Sequence, residues 1–404
     1  MYKRNLYLQK ISKFLGKPVV KVITGMRRVG KSYLLRQIIN QLQSDGVGAE
    51  NILCVDKESL EFDHIRTYPD LNTLVQESLF RQQGMKFLFV DEVQEIEEWE
   101  RAIASLSGQH DMDIIITGSN AHLFSSELAS RLSGRFIEFP VYSLSFDEFL
   151  LFRGDKRADL EREWLNYLRF GGMPAIHHFE LDEEIVYQYV TSIYNTILLK
   201  DIVKRHAVRN VPLLENIARY LFDNVGNTMS AKSIADYVKS QRLRVGVETV
   251  QNYLSYFEEA LTAHRVQRYD LKGKRVLEIH DKYYLGDIGM RHAVFGFREG
   301  EITGVLENIV FLELLRRGYR VCIGKWGNRE IDFIATREKE KLYIQVTYLL
   351  ASPQVIEREF GVLRTIPDNY PKIVISLDDE FGEDVEGIRR VNLRDFLLQT
   401  STLD

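Results

Sequence analysis

Cysteine and proline are scarce in this 404-residue chain, which holds two of the first and eight of the second. Cys54 and Cys322 lie far apart, outside any CxxC pair and inside apolar strand-like runs. That placement argues against a disulfide framework and a structural zinc site, and both residues are expected to be buried small hydrophobes. The few prolines argue against long disordered linkers. No apolar run approaches the roughly 18 residues that a membrane span needs, and the segment around Lys3 and Arg4 lacks the apolar stretch of a secretory signal. The cytoplasm is the expected compartment, with no membrane partner. The formal net charge is −5, so the chain is no general polyanion binder, and any nucleic-acid surface must be local. Internal repeats, low-complexity tracts and heptads are lacking, as is any arguable Ser-His-Asp or Cys-His arrangement.

What is present is ordinary globular composition, 45% hydrophobic and 27% charged. At roughly 100–200 residues per domain, the length allows two to four domains. Short apolar runs at Val19–Thr24, Asn51–Asp56, Lys86–Asp91, Asp113–Thr117 and Arg135–Phe139 alternate with helical patterns such as Lys31–Gln43 and Leu71–Arg81. Strands that are apolar throughout, alternating with helices, predict a parallel sheet covered on both faces.

After the first strand, Gly25-Met26-Arg27-Arg28-Val29-Gly30-Lys31-Ser32 fits GxxxxGK[ST] and opens an amphipathic helix. Glycines let backbone N–H groups turn around phosphate oxygens, and the new helix aims its positive end at the same anion. The spacing predicts ATP contact from Gly25, Arg28, Val29, Gly30, Lys31, Ser32 and Tyr33. Phe87-Leu88-Phe89-Val90 then ends in Asp91-Glu92, two carboxylates at the sheet edge where ligands bind. Ser32 and Asp91 are expected to hold Mg²⁺, with Lys31 on the phosphates and Glu92 polarising the attacking water. Ser119 and Asn120, following Ile114–Gly118, are candidates to orient that water, or are plain turn residues. Arg131 and Arg135 precede the fifth strand; Arg135, after a glycine turn, is the better candidate to reach a neighbouring subunit's site, and otherwise a surface arginine.

These motifs, with Val93-Gln94, Ile116-Thr117-Gly118-Ser119 and Gly171-Gly172-Met173-Pro174, make residues 1–150 resemble the AAA+ ATPases. The whole chain resembles one prokaryotic family among them, whose C-terminal domain is similar to PD-(D/E)XK nucleases. The resemblance implies an ATPase acting as a ring or other homo-oligomer. The Gly-Gly-Met-Pro turn resembles one that lies near the nucleotide in related ATPases, and reads equally as a helix break.

Farther along, helical patterns at Ala231–Ser240 and Val247–Ala260 precede two strands, Ala263–Tyr269 and Arg275–His280, joined by a basic turn. This is the order of a winged helix-turn-helix. Between Leu198 and Arg275 stand 14 Lys and Arg against 8 Asp and Glu. Arg242, Arg244, Thr249, Asn252, Arg268, Lys272 and Lys274 are the candidate DNA contacts, and docking of a protein is the alternative.

In the last segment Glu307, Asp332 and Gln345-Val346-Thr347 follow the pattern of a PD-(D/E)XK core. Gln345 replaces a carboxylate and Thr347 the lysine, so metal-assisted cleavage is not expected; Lys339 and Lys341 are the nearest lysines in sequence. His177 and His178 are read as surface residues, Trp99 and Trp164 as packing residues.

The expected architecture is α/β: a P-loop parallel-sheet ATPase core (1–150), a helical lid (151–210), a winged helix-turn-helix (211–290) and a C-terminal restriction-endonuclease-like domain (291–404). The expected function is ATP hydrolysis coupled to remodelling of, or translocation on, DNA. The rival is a nucleotide-controlled signalling switch that recruits protein partners.

Overall fold

The structure is a computed structural model and describes residues 2–121, 132, 134–298, 300, 302–378 and 384–398. The chain forms two compact units, one of residues 1–141 with 259–261, the other of 142–258 with 262–404.

The first unit is a five-stranded sheet in the order β2-β3-β4-β1-β5: β1 Val20–Thr24, β2 Ile52–Asp56, β3 Lys86–Asp91, β4 Met112–Gly118 and β5 Phe136–Pro140. Every pairing is parallel. Every residue of β1, β3 and β4 is buried, because helices cover both faces: α1 Asn5–Ser12, α2 Lys31–Ser44, α3 Tyr68–Leu79 and α4 Trp99–Leu106. Val22, Leu88, Ile116 and Trp99 share one core cluster. A buried ion pair links β1 to β4. The Lys21 ammonium donates to Asp113 at 2.5 Å and to the Lys17 carbonyl, and Asp113 accepts from Gly16 N–H at 2.6 Å. Pairing is what permits such burial.

The second unit begins with α5 Phe146–Phe152, capped by a reciprocal Ser145–Glu148 box, followed by α6 Leu160–Phe170 and α7 Glu183–Thr196, which runs on as a π-helix over Ile197–Lys204. Next come α8 Val211–Asp223, α9 Ala231–Ser240 and α10 Val247–Glu259. An eight-stranded sheet then spans the rest in the order β13-β12-β11-β10-β9-β7-β8-β6. Its strands are β6 Thr228–Met229, β7 Ala263–Asp270, β8 Arg275–Leu285, β9 Arg320–Trp326, β10 Arg329–Arg337, β11 Glu340–Val346, β12 Lys372–Ser376 and β13 Arg389–Asn392. Helices α11 Ile288–Phe295, α12 Ile302–Arg316, α13 Pro353–Arg364 and α14 Leu393–Leu397 complete the unit.

Four features differ from the sequence expectation. β8 runs five residues past His280, to Leu285. The β7–β8 hairpin, placed before residue 290 as part of a separate domain, joins the later strands through parallel β7–β9 pairing. Residues 211–290 and 291–404 therefore share one sheet. Cys54 and Cys322 are free and half-buried, not fully buried, and burial pushes both thiols up to about 11. His177 is no surface residue: its ring packs 4.7 Å from Phe149 and 5.5 Å from Phe152, and burial holds it near 3, hence neutral. Trp99 and Trp164 are buried. No helix among the described residues is long and apolar enough to cross a membrane.

Candidate nucleotide site

β1 ends at Thr24 and α2 begins at Lys31, so residues 25–30 form a loop at the C-terminal edge of the parallel sheet. Arg28 at φ 67° and Gly30 at φ 98° bend it through the left-handed region. A Cβ on Gly25 would lie 2.3 Å from the Val141 carbonyl, so only glycine lets the loop pass there. Tyr33 is half-exposed on the first turn of α2, with the Arg36 guanidinium 5.6 Å from its ring centre.

Lys31 is buried, and its ammonium donates to the carbonyls of Gly25 (3.0 Å) and Met26 (3.3 Å) and lies 3.2 Å from Glu92 Oε1. β3 brings Asp91 and Glu92 to the same edge. Glu92 has φ +53°, a conformation costly for a non-glycine residue and concentrated at functional sites. Burial would raise its carboxyl, but the Lys31 charge, the Gln94 hydrogen bond and the Arg27 charge outweigh that and bring it down to about 2. Glu92 is therefore a carboxylate at neutral pH. Asp91 is raised by burial, against hydrogen bonds from Ser32 and Thr117.

Three residues that the motifs contain but that had no assigned role belong here. Thr117 Oγ1 donates to Asp91 and accepts from Glu92 N–H at 2.9 Å, so one hydroxyl ties the Asp91 carboxylate to the Glu92 backbone. Gln94 Nε2 donates to Glu92 Oε2 and reaches Ser119 Oγ at 3.4 Å. Arg27 is buried and bonds Glu58 at 3.2 Å. Ser119 and Asn120 are buried at the end of β4, with Ser119 joined to Glu92 only through Gln94. A threonine ending an apolar strand and a glutamine two residues beyond a glutamate were the available signals. The site offers backbone N–H groups, an ammonium, a hydroxyl and two carboxylates together, a set that fits a nucleotide phosphate chain with a divalent ion.

Arg135 is exposed before β5, beside Val20, whose N–H bonds its carbonyl. That is the opposite end of β1 from the loop, about 15 Å away at ~3.3 Å per residue. It is thus outside the site of its own chain. Arg131 lies outside the described residues.

Gly171 and Gly172 form a buried joint. Gly172 N–H donates to Asp287 Oδ2 at 2.8 Å, and a Cβ on Gly172 would lie 2.4 Å from the Leu144 carbonyl. Asp287 also caps α11 through Gly289 N–H at 2.9 Å. Burial raises its carboxyl from 3.8 to about 6, more than these hydrogen bonds lower it. The folded chain therefore holds the proton more tightly between those values, and stability contributed here falls as pH rises through that window. The difference amounts to about 3 kcal/mol. Asp287→Asn is expected to gain that much relative to the native chain between pH 4 and 6 in urea titrations; a pH-independent difference would refute the assignment.

Of the candidate nucleic-acid contacts, Arg242 and Arg244 are exposed between α9 and α10, Asn252 is exposed and Thr249 half-buried on α10, and Lys272 and Lys274 are exposed on the β7–β8 turn. Lys272 lies 4.9 Å from the Trp326 ring centre. Arg268 does not join them: it is half-buried with its guanidinium 3.7 Å from Glu330. Glu307, Asp332 and Gln345 do come together, lining one cavity of about 830 Å³. Lys341 pairs instead with Asp368 at 3.8 Å, and Lys339 is exposed in the β10–β11 turn.

An AAA domain model matches residues 17–150, and a domain of unknown function (DUF8612) matches residues 161–301. An uncharacterized protein of Haemophilus influenzae is 36% identical over 401 residues, 99% of each chain. An uncharacterized protein of Methanocaldococcus jannaschii is 31% identical over 367 residues, 86% of this chain and 80% of that one. Among solved structures, a Walker-type ATPase of Pyrococcus abyssi superposes with a TM-score of 0.54 at 15% identity, covering 73% of this chain and 96% of the other. At that identity the likeness is one of fold.

Proposed function

The chain belongs to the AAA-domain family of those two relatives, with a P-loop ATPase fold and a nucleotide-dependent function, and from that premise we propose that it hydrolyses ATP and applies the resulting change of shape to DNA. The observation that carries hydrolysis is the ionised Glu92, held by Lys31 and Gln94 beside Asp91. Lys31, the loop N–H groups and Tyr33 bind the nucleotide, and Ser32 and Asp91 hold Mg²⁺, which when bound offsets the phosphate charge. Glu92 orients and polarises the attacking water, with Gln94 fixing its carboxylate and Thr117 its backbone. Ser119 and Asn120 are the candidates to orient that water, and Arg135 serves the site of a neighbouring subunit in a homo-oligomer. The working compartment is the cytoplasm.

The DNA reading rests on α9, α10 and the β7–β8 hairpin, which follow the order of a winged helix, with Arg242, Arg244, Lys272 and Lys274 exposed. We take residues 151–210 as a lid and the last segment as a nuclease-like domain that does not cleave.

The test is the steady-state ATPase rate with and without duplex, single-stranded and branched DNA, with Lys31→Ala and Glu92→Gln as controls. Stimulation by one DNA form, lost in both variants, is the expected result. A low rate indifferent to every DNA would sink the DNA reading and leave a nucleotide-controlled protein switch. Replacing Lys272 and Lys274 by alanine is expected to weaken duplex binding regardless of sequence and to flatten its log–log salt dependence by about 2, near 0.9 per lost phosphate contact. An unchanged slope would remove the hairpin from the interface.

A further inference from the structure

The cavity lined by Glu307, Asp332 and Gln345 contains a fourth residue that the PD-(D/E)XK pattern does not include. Lys282 comes from β8, far from the pattern in sequence. Its side chain is 5% exposed, and its ammonium lies 2.9 Å from Glu330, 3.1 Å from Glu307 and 3.8 Å from Asp332. Tyr284, two residues on and so on the same strand face, donates its hydroxyl to the same Glu307 oxygen at 2.8 Å.

A divalent ion at such a site needs carboxylate oxygens that converge on an open position. Here they are already engaged. Glu307 Oε2 is shared by Lys282 and Tyr284. Asp332 Oδ2 accepts from Val346 N–H at 2.8 Å, while Oδ1 faces Lys282. Gln345 spends both ends of its amide, accepting from Asp332 N–H at 2.7 Å and donating to Glu359 at 2.9 Å. Among the described residues no group of three His, Cys, Asp or Glu is arranged to hold a metal. The residues do not fit the metal that the nuclease resemblance implies.

We propose that Lys282 is the resident cation of this cavity, standing where a nuclease of this architecture holds its divalent metal and excluding that metal from the site. The proposal rests on reading the last segment as nuclease-like. Arg268 also reaches Glu330 at 3.7 Å, but among the described ion pairs the Lys282 ammonium is the positive group that reaches Glu307 and Asp332, and without it these two would be buried without that counter-charge. Burial opposes its charge, but Glu307, Asp332 and Glu330 together raise its pKa above the ordinary lysine range, so it stays protonated. Unlike a metal, this cation is part of the chain, and it ties β8 to α12 and β10.

The test is Mn²⁺ binding, followed by electron paramagnetic resonance, to the full nucleotide-free chain and to Asp332→Asn, Lys282→Met and Lys282→Gln. The native chain is expected to show no Mn²⁺ that depends on Asp332. Lys282→Gln or Lys282→Met is expected to gain one site at least tenfold tighter than any in the native chain, lost again when combined with Asp332→Asn. Asp332-dependent Mn²⁺ in the native chain would overturn the proposal, a comparison that needs no Lys282 variant to fold. Folded Lys282 variants without added Mn²⁺ would overturn the likeness to a metal site. Neither result touches the ATPase and DNA reading, which the rate measurements test separately.

Discussion

Glu92→Gln is expected to keep ATP bound while slowing its hydrolysis by about 10²–10⁴-fold, the usual worth of a positioned general base. The substitution is nearly isosteric, so the Gln94 contact and the φ +53° turn at residue 92 can persist. What goes is the negative charge that draws a proton from water. Because Glu92 is held down to about 2 in the nucleotide-free chain, kcat/KM, which reports the free enzyme, should show no loss from protonation of this group as pH falls from 8 to 5. Single-turnover hydrolysis across that range checks both points. A variant hydrolysing within threefold of the native chain would move the base elsewhere, and Asp91 would be the first residue to examine.

Lys31→Ala is expected to do more than abolish nucleotide binding. It should also destabilise the nucleotide-free chain, by about 3 kcal/mol at pH 7. Lys31 and Glu92 are both buried, and removing the ammonium leaves a carboxylate without its main counter-charge. The sign with pH follows from the lowered carboxyl. A group brought from 4.5 to about 2 adds stability that is present above 4.5 and disappears as pH falls through 2. With Lys31 gone, burial raises the variant's Glu92, so the penalty of Lys31→Ala should shrink as pH falls from 7 to 4 and this carboxylate takes up a proton. Adding Glu92→Gln to Lys31→Ala should recover most of the loss. Urea titrations of the four proteins at pH 7 and pH 4 form the cycle, and a loss unaffected by Glu92→Gln would place its origin in the loop backbone instead.

The sheet of the first unit and its phosphate loop could be read from the sequence because their signals are local. A buried parallel strand must be apolar throughout, and a phosphate loop needs its glycines and lysine in consecutive positions. Charges buried inside strands carry no such signal. Asp281 and Lys282 interrupt the apolar alternation after His280, so the second hairpin strand read as ending there. What makes them strand residues is distant: Arg265 bonds Asp281 at 2.6 Å, and Lys282 finds carboxylates 25 to 50 residues farther along. Arg268 was misread for the same reason, its partner Glu330 lying on another strand. His177 was misread because Phe149 and Phe152, one helical turn apart on α5, enclose it, which periodicity around the histidine itself does not reveal. Thr117 carries a role through one hydroxyl, and a threonine ending a strand is too common to point to it.

The continuous sheet of the second unit has a consequence for how the chain is made. β7 pairs with β8 soon after both are synthesised, but its other edge waits for β9, about fifty residues later. Until then the hairpin offers a ladder of unpaired amide and carbonyl groups, the kind of edge that recruits strands from other chains. On the ribosome the β7–β8 ribbon is an unfinished template, and the C-terminal segment acts as its intramolecular chaperone by closing that edge before a foreign strand can.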